Sequence, residues 1–268
     1  MFNWTLGHIP GAKPMLLENC HNGPKTGTPG ASSPSGPYAP TQDWCPFHMY
    51  RSSNDIRPQW GSILSNLQTI PPLAAQNLSR PGCFAYPDML EVGVGSGGVP
   101  VLNFTEARTH FGAWCIVSSP LILGMNLSDA ATVATFWPIV SNAEAIAVNQ
   151  EYAGESGTRF FESAEVTQFT ECGWGPEFKV CTYASQMYWY KPLPGGDIAV
   201  LLMNNADTPA LLSLEWDLVP GLLPPQGSLV RVRDIWAQQN LGIMEGAFLP
   251  DAPTASRDSI FLRLTPVS

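Results

Sequence analysis

The sequence predicts a mixed α/β stretch followed by an all-β stretch. Two observations carry this. Up to about residue 150, short apolar runs alternate with segments of helical periodicity, in the order strand, helix, strand, helix. After about residue 156, strand-like runs follow one another between Gly, Pro, Asn and Asp with no helical period between them. The first pattern is that of a (β/α) barrel, whose chemistry sits at the C-terminal ends of its strands. Eight such units need about 250 residues, so only the last few are expected here. The division expected is residues 1–155, the C-terminal half of a barrel domain, and residues 156–268, an antiparallel β-domain.

"MLL" after Pro14 reads as a short buried strand. "ENCHNG" follows, with a turn at Asn22-Gly23. Residues 23–41, rich in Pro, Gly and Ser, read as an irregular loop. "WCPFHMY" reads as a second strand ending near Tyr50. Trp60, Ile63, Leu64, Leu67 and Ile70 recur at helical spacing, and Pro71-Pro72 is expected to stop that helix. "CFAYPDMLEVG" reads as a strand running into a loop. A second helix places Phe104, Ala107, Phe111, Trp114 and Ser118 on one side, and Pro120 ends it. "PLILGM" is a further apolar run. Residues 128–137 read as a helix interrupted by Pro138. Ser141 with Glu144 has the form of a capping box for a last helix through Val148. The strands expected beyond lie in "EVTQF", "FKVCTYA", "MYWYKPL", "IAVLLMNN", "ALLSLEW", "SLVRVRDIW" and "IFLRL".

The 268 residues are 44% apolar and only 13% charged, with a net charge of −9. An acidic chain poor in Lys and Arg argues against nucleic acid or an anionic membrane as the main partner. No run of 18 apolar residues is present, so no membrane span is expected. Six cysteines and four sequons, at Asn3, Asn77, Asn103 and Asn126, lean towards an oxidising, glycosylating compartment. The opening "MFNWTLGHIPGAKP" lacks the build of a signal peptide. The expectation is a piece of a longer parent that is secreted or lysosomal/vacuolar.

Arg51 and Asp55 stand four apart between aromatic residues in "MYRSSNDIRPQW". A carboxyl near the end of a barrel strand can be the proton donor of a glycosidase. It can equally cap the helix that begins near Trp60, paired with Arg51. Asp88 in "YPDML" is a second carboxylate after a strand, and the two together suggest a polar substrate pocket. With four histidines and no ligand-like spacing, no metal site and no cofactor are expected. Trp60 and Trp114 read as core, while Trp44 stays open between core and sugar stacking. Cys172 and Cys181, nine apart, are compatible with closing a hairpin. Cys20 and Cys45 flank the Pro-rich loop, where a bridge would constrain it. Cys83 and Cys115 remain a pair or two buried thiols.

These residues also carry a resemblance. "RSSNDI…W", "YPDMLEVG", "FTEARTHFGAWCIVSSPLILGMNLS" and "SNAEAIAVNQEYAG" resemble the second half of the alpha-galactosidases of glycoside hydrolase family 27. "YWYKPLPGGDIAVLLMNN", "VRDIW" and "LRLTP" resemble the family's C-terminal β-domain. The resemblance runs from about residue 10 to 266. It implies the C-terminal part of a (β/α)8 TIM barrel followed by an antiparallel β-sandwich. It implies hydrolysis of terminal alpha-linked galactose, from an oligosaccharide or glycoconjugate, with retention through a galactosyl-enzyme ester. A homodimer is compatible with it. Asp55 then corresponds to the general acid/base, Arg51 to a sugar-contacting arginine and Asp88 to an aspartate beside the sugar. Cys20 and Cys45 match a disulfide of some members.

Departures accompany it. The family's nucleophile motif, Leu-Lys-(Phe or Val)-Asp, does not occur in this sequence. Its "CEWG" reads "CHNG" here, placing His21, the third substrate-binding candidate beside Arg51 and Asp88, where the family has glutamate. Its "WNDPDM" reads "FAYPDM", with Tyr86 replacing one aspartate. A retaining glycosidase needs two carboxylates about 5–5.5 Å apart, so this chain alone is expected to be inactive. The alternative is a non-catalytic sugar-binding or structural fragment.

Overall fold

The structure is a computed structural model that describes residues 15–20, 40–96, 99–172, 179–222 and 229–267. His21, Asn22 and most of the Pro-rich loop lie outside the described residues, as does the sequon at Asn3.

Three short parallel strands open the chain: β1 (Glu18–Asn19), β2 (Met49–Arg51) and β3 (Phe84–Tyr86), in that spatial order. Asn19 pairs with Tyr50 and Arg51 with Tyr86. The "MLL" run is not the strand. Met15 and Leu16 are exposed, and pairing begins only where the Leu17 carbonyl accepts from His48 N–H and the Leu17 N–H donates to His48 Nδ1. Helix α1 (Trp60–Leu67) follows β2 and buries Trp60, Ile63, Leu64 and Leu67, as its spacing requires. Pro71 and Pro72 do not merely stop it. They begin a short helix α2 (Pro71–Ala74), because proline suits the first helical turn, where its missing N–H is not needed.

Beyond β3, Leu90 bridges Leu123 in parallel, so the "PLILGM" run lies beside the continuation of β3. A small hairpin pairs β4 (Gly95–Ser96) with β5 (Val99–Pro100). Helix α3 (Phe104–Ile116) starts at a capping box between Asn103 and Glu106. Helix α4 (Ala130–Val140) contains Pro138 near its end instead of breaking there. Helix α5 (Ala143–Gln150) is capped by Asn142, whose Oδ1 accepts from the N–H groups of Glu144 and Ala145. Ser141, the expected cap, turns back to donate to the Trp137 carbonyl at 2.6 Å.

The all-β part holds a six-stranded antiparallel sheet, in the order β13 (Gln239–Glu245), β12 (Leu229–Asp234), β15 (Ser259–Val267), β10 (Ile198–Asn204), β9 (Gln186–Pro192), β6 (Thr158–Glu162). A hairpin of β7 (Val166–Cys172) and β8 (Lys179–Ala184) stands apart, and β11 (Leu214–Glu215) pairs with β14 (Ala247–Phe248). Every residue of β10 is buried, which explains the unbroken apolar run "IAVLLM". Ala199, Leu201 and Met203 face the core shared with the helices, together with Trp189 and Phe261. Ile198, Val200 and Leu202 face a second core with Leu214, Trp216 and Phe248. The second core is the filling of a β-sandwich.

The helices and this sheet meet along a seam. Arg108 binds Asp258 at 2.6 Å, Arg257 binds Glu106 at 2.7 Å, Arg233 binds Glu144 at 2.6 Å, and Arg263 reaches Glu151 at 3.3 Å. The fully buried Lys191 donates to the Val148 and Asn149 carbonyls at the end of α5, where a helix favours a cation. Gly112 on α3 lies where a Cβ would meet Trp236 at 2.8 Å and Leu201 at 3.0 Å.

The cysteines correct one expectation. Cys45 is bonded to Cys83, and Cys20 is a free, exposed thiol. Parallel pairing is the reason. Cys45 and Cys83 both precede their strands, at the same end of the sheet, whereas Cys20 follows β1 at the opposite end. Cys115 is a buried free thiol, so it has no bond to Cys83. The Cys172–Cys181 bridge closes the β7–β8 hairpin as its spacing suggested.

Candidate active site at the strand ends

The C-terminal ends of β2 and β3 bring Arg51, Asp55 and Asp88 together. Arg51 Nη2 lies 2.6 Å from Asp88 Oδ2 and 3.0 Å from Asp55 Oδ1. Arg51 and Asp88 are buried, while the Asp55 side chain is 59% exposed. Arg51 therefore joins an inner carboxylate to an outer one. Asp55 caps no helix: Gln59 occupies the N-cap of α1 and makes no side-chain capping bond.

Asp88 is tightly held. Its Oδ2 accepts from Ile56 N–H and its Oδ1 from Met89 N–H, both at 2.8 Å. Its backbone has φ of 79°, a left-handed conformation uncommon outside glycine. Asn66, on α1, donates to the carbonyls of Asn54 and Pro87 and so ties together the two loops that carry the carboxylates. The Arg51 Nε is buried with no hydrogen-bond partner among the described residues.

Tyr86 lies beside the pair. Burial, then the negative charges of Asp88 and Glu18, hold its phenol above the ordinary range, so it remains a proton donor. Glu91 is buried three residues beyond Asp88. Burial first, and then the Asp88 charge, push its carboxyl up to about 7. Sequence reasoning passed over Glu91, although it stands in the same "PDMLEVG" run. Among the tryptophans weighed earlier, Trp60 and Trp114 are core and Trp44 is 41% exposed.

An α/β part with charged side chains gathered at the ends of parallel strands, joined through a helical seam to a β-sandwich, defines the structural class of this chain. Comparison with known proteins gives the family. Residues 31–151 match the family model described as alpha galactosidase A, and residues 184–264 match the alpha galactosidase C-terminal beta sandwich domain. An alpha-galactosidase of Coffea arabica is 32% identical over 82% of this chain and 49% of its own length. A Dictyostelium discoideum protein named "Probable alpha-galactosidase" is 31% identical over 82% of this chain and 50% of its own. Among solved structures, alpha-galactosidase I of Mortierella vinacea shares the fold, with a TM-score of 0.66 at 22% identity, over 94% of this chain and 59% of that one. The chain belongs to the melibiase family of alpha-galactosidases, and it spans about half the length of the curated relatives it matches.

Proposed function

We propose that this chain is the C-terminal half of a retaining alpha-galactosidase, in which residues 1–155 complete a (β/α)8 barrel begun elsewhere and residues 156–268 form the β-sandwich domain. The observation that carries the reading is the Arg51–Asp55–Asp88 cluster. An exposed and a buried carboxylate share one arginine at the C-terminal ends of parallel strands, where barrels place their chemistry.

In this reading Asp55 is the general acid/base. Its exposure leaves it open to the glycosidic oxygen of a bound substrate, to which it gives a proton as the bond breaks. Water then loses a proton to the same carboxylate as the galactosyl-enzyme ester is hydrolysed. Asp88, buried and fixed by two backbone N–H groups, accepts hydrogen bonds from sugar hydroxyls, and Arg51 donates to them. His21 belongs to the same expectation. The nucleophile is supplied by the remaining barrel strands. The two disulfides favour an oxidising destination, secreted or lysosomal/vacuolar, for the parent.

The test is kinetic, in a protein extended to include a Leu-Lys-x-Asp strand end. Asp55→Ala is expected to slow alpha-galactosides with poor leaving groups far more than activated aryl galactosides, because only the former need protonation in the first step. Equal losses on both, with the second step shown not to limit the rate, would make Asp55 structural. Galactose binding without turnover in the extended protein would favour the non-catalytic alternative. The 268-residue chain alone is expected to release nothing from an aryl alpha-galactoside.

A further inference from the structure

Helix α3 has two working faces. Arg108, Thr109 and Gly112 meet the β-sheet. His110 and Trp114, four apart on the opposite face, meet the segment that carries Asp88. Trp114 Nε1–H donates to the Asp88 carbonyl at 2.6 Å, and the Glu91 N–H donates to His110 Nε2 at 2.9 Å. The segment 88–91 is therefore held by a donor at one end and an acceptor at the other. The two rings meet edge-on, with centroids 4.1 Å apart, which fixes their mutual orientation.

Histidine is a costly choice for this place. Because Nε2 accepts, the neutral ring carries its proton on Nδ1. That Nδ1 is fully buried and has no partner among the described residues. A buried N–H without an acceptor costs stability, and a leucine would fill the space without that cost. What leucine lacks is the acceptor for Glu91 N–H. Burial holds the His110 pKa down at about 3, so Nε2 stays free to accept throughout the ordinary pH range. Asp88, meanwhile, sits in a left-handed conformation that persists only where the surroundings enforce it.

We propose that His110 and Trp114 are positioning residues that hold the Asp88–Glu91 backbone so that the Asp88 carboxylate meets Arg51. The proposal rests on the reading of Arg51 and Asp88 as sugar contacts. It also gives the β-sandwich a part in the site it does not touch, because the sheet carries α3 and α3 carries Asp88.

The experiment uses the 268-residue chain and two variants. His110→Gln places an amide oxygen near the position of Nε2. His110→Leu fills the space with no acceptor. Two readouts are taken by NMR: the Arg51 guanidinium signals, which stay separate while the group is locked, and a titration with D-galactose. The Gln variant is expected to behave like the parent in both. The Leu variant is expected to melt no lower than the parent, yet to average the Arg51 signals and weaken galactose binding about tenfold. Unchanged Arg51 signals in the Leu variant, or a Gln variant no better than Leu, would overturn the proposal. If the Leu variant fails to fold, Trp114→Phe removes the donor to Asp88 while keeping an aromatic ring, and the same Arg51 readout decides. A parent whose Arg51 signals ignore galactose would refute the sugar-site reading and leave the positioning claim to be judged by the Arg51 signals alone.

Discussion

Two arginine–aspartate pairs in this molecule have the same separation and different company. At the seam, Arg108 meets Asp258 at 2.6 Å, with its Nε also bonded to Asp258 and the carboxylate also accepting from Ser259 N–H. At the strand ends, Arg51 meets Asp88 at 2.6 Å, but Arg51 Nε has no partner among the described residues and Asp88 carries a left-handed backbone. The seam pair is joined through two nitrogens of Arg108 and both oxygens of Asp258. The strand-end pair keeps unmet hydrogen-bonding capacity and an open carboxylate, Asp55, at its mouth. Equal ion-pair distances therefore do not mean equal roles. The unsatisfied pair, held in place from outside, is the one suited to receive a ligand.

The sharpest way to break this contrast is to damage the seam. Gly157 lies where a Cβ would overlap the Ile116 carbonyl oxygen and come within 2.8 Å of the Tyr190 carbonyl oxygen. Backbone cannot yield as a side-chain tip can, so Gly157→Ala is expected to cost more than about 4 kcal/mol in urea denaturation. A loss under about 1 kcal/mol would show a compliant seam.

Next in size is the bridge between residues 45 and 83, which closes a loop of 38 residues. Cys83→Ser is expected to cost about 4 kcal/mol by loop entropy, or less if the native state relaxes. Cys20→Ser is expected to change nothing measurable, and peptide mapping under oxidising conditions should recover Cys20 as a thiol. A large loss for Cys20→Ser would restore the pairing that the sequence suggested.

Smaller still are the two ion pairs themselves. Arg108→Met strands the buried Asp258 and is expected to cost about 2 kcal/mol. Asp88→Asn keeps an oxygen for one backbone N–H and tolerates positive φ. Its stability is expected to stay within about 1 kcal/mol of the parent while the response to galactose is lost. Stability losses of the same size in both would erase the distinction between seam and site.

The smallest net effect is that of two opposed pH slopes at the strand ends, which largely cancel in the parent. The Glu91 carboxyl, raised from 4.5 to about 7, binds a proton in the folded chain that the unfolded chain has released, so its contribution to stability falls as pH rises from 4.5 through 7. The His110 ring, lowered from 6.5 to about 3, remains neutral while the unfolded chain takes up a proton, so its contribution falls as pH drops below 6.5. Between 4.5 and 6.5 the two oppose each other, each by at most about 1.4 kcal/mol per pH unit. Glu91→Gln should therefore make stability rise with pH over that window relative to the parent, and His110→Gln should make it fall. Urea titrations at three pH values would show both signs.

Much of this architecture was legible from the sequence, for identifiable reasons. The spacing of Trp60, Ile63, Leu64 and Leu67 marks α1 because one face of that helix is buried, and β10 reads as an apolar run because both of its faces are. β13 was not legible, since "QNLGIME" is largely exposed and carries no alternation. β6 was missed for a related reason: "TRFFE" has intermediate burial at the sheet edge. At the site, Arg51, Asp55 and Asp88 stand in short recognisable runs. Trp114 reads as core and His110 carries no mark in the sequence, because both bind backbone atoms, whose positions depend on how α3 lies against β3. Their spacing of four was the available signal. The Cys45–Cys83 bridge stayed hidden because it depends on strand register, which loop position alone does not reveal.

The place of β15 in its sheet has a consequence for how the protein is made. It lies between β12 and β10, yet it follows both in the chain. A ribosome delivers β6, β9 and β10, then β12 and β13, and the strand that must join the two groups emerges after them. Until then Val230 and Val232 on one side, and Leu201 and Leu202 on the other, wait without their central neighbour. The nascent chain thus carries two incomplete sheets with open edges from the time β13 is made until β15 joins them. A message broken or a chain clipped just before Ser259 would yield two unjoined half-sheets, a species that chaperones must hold and proteases would find.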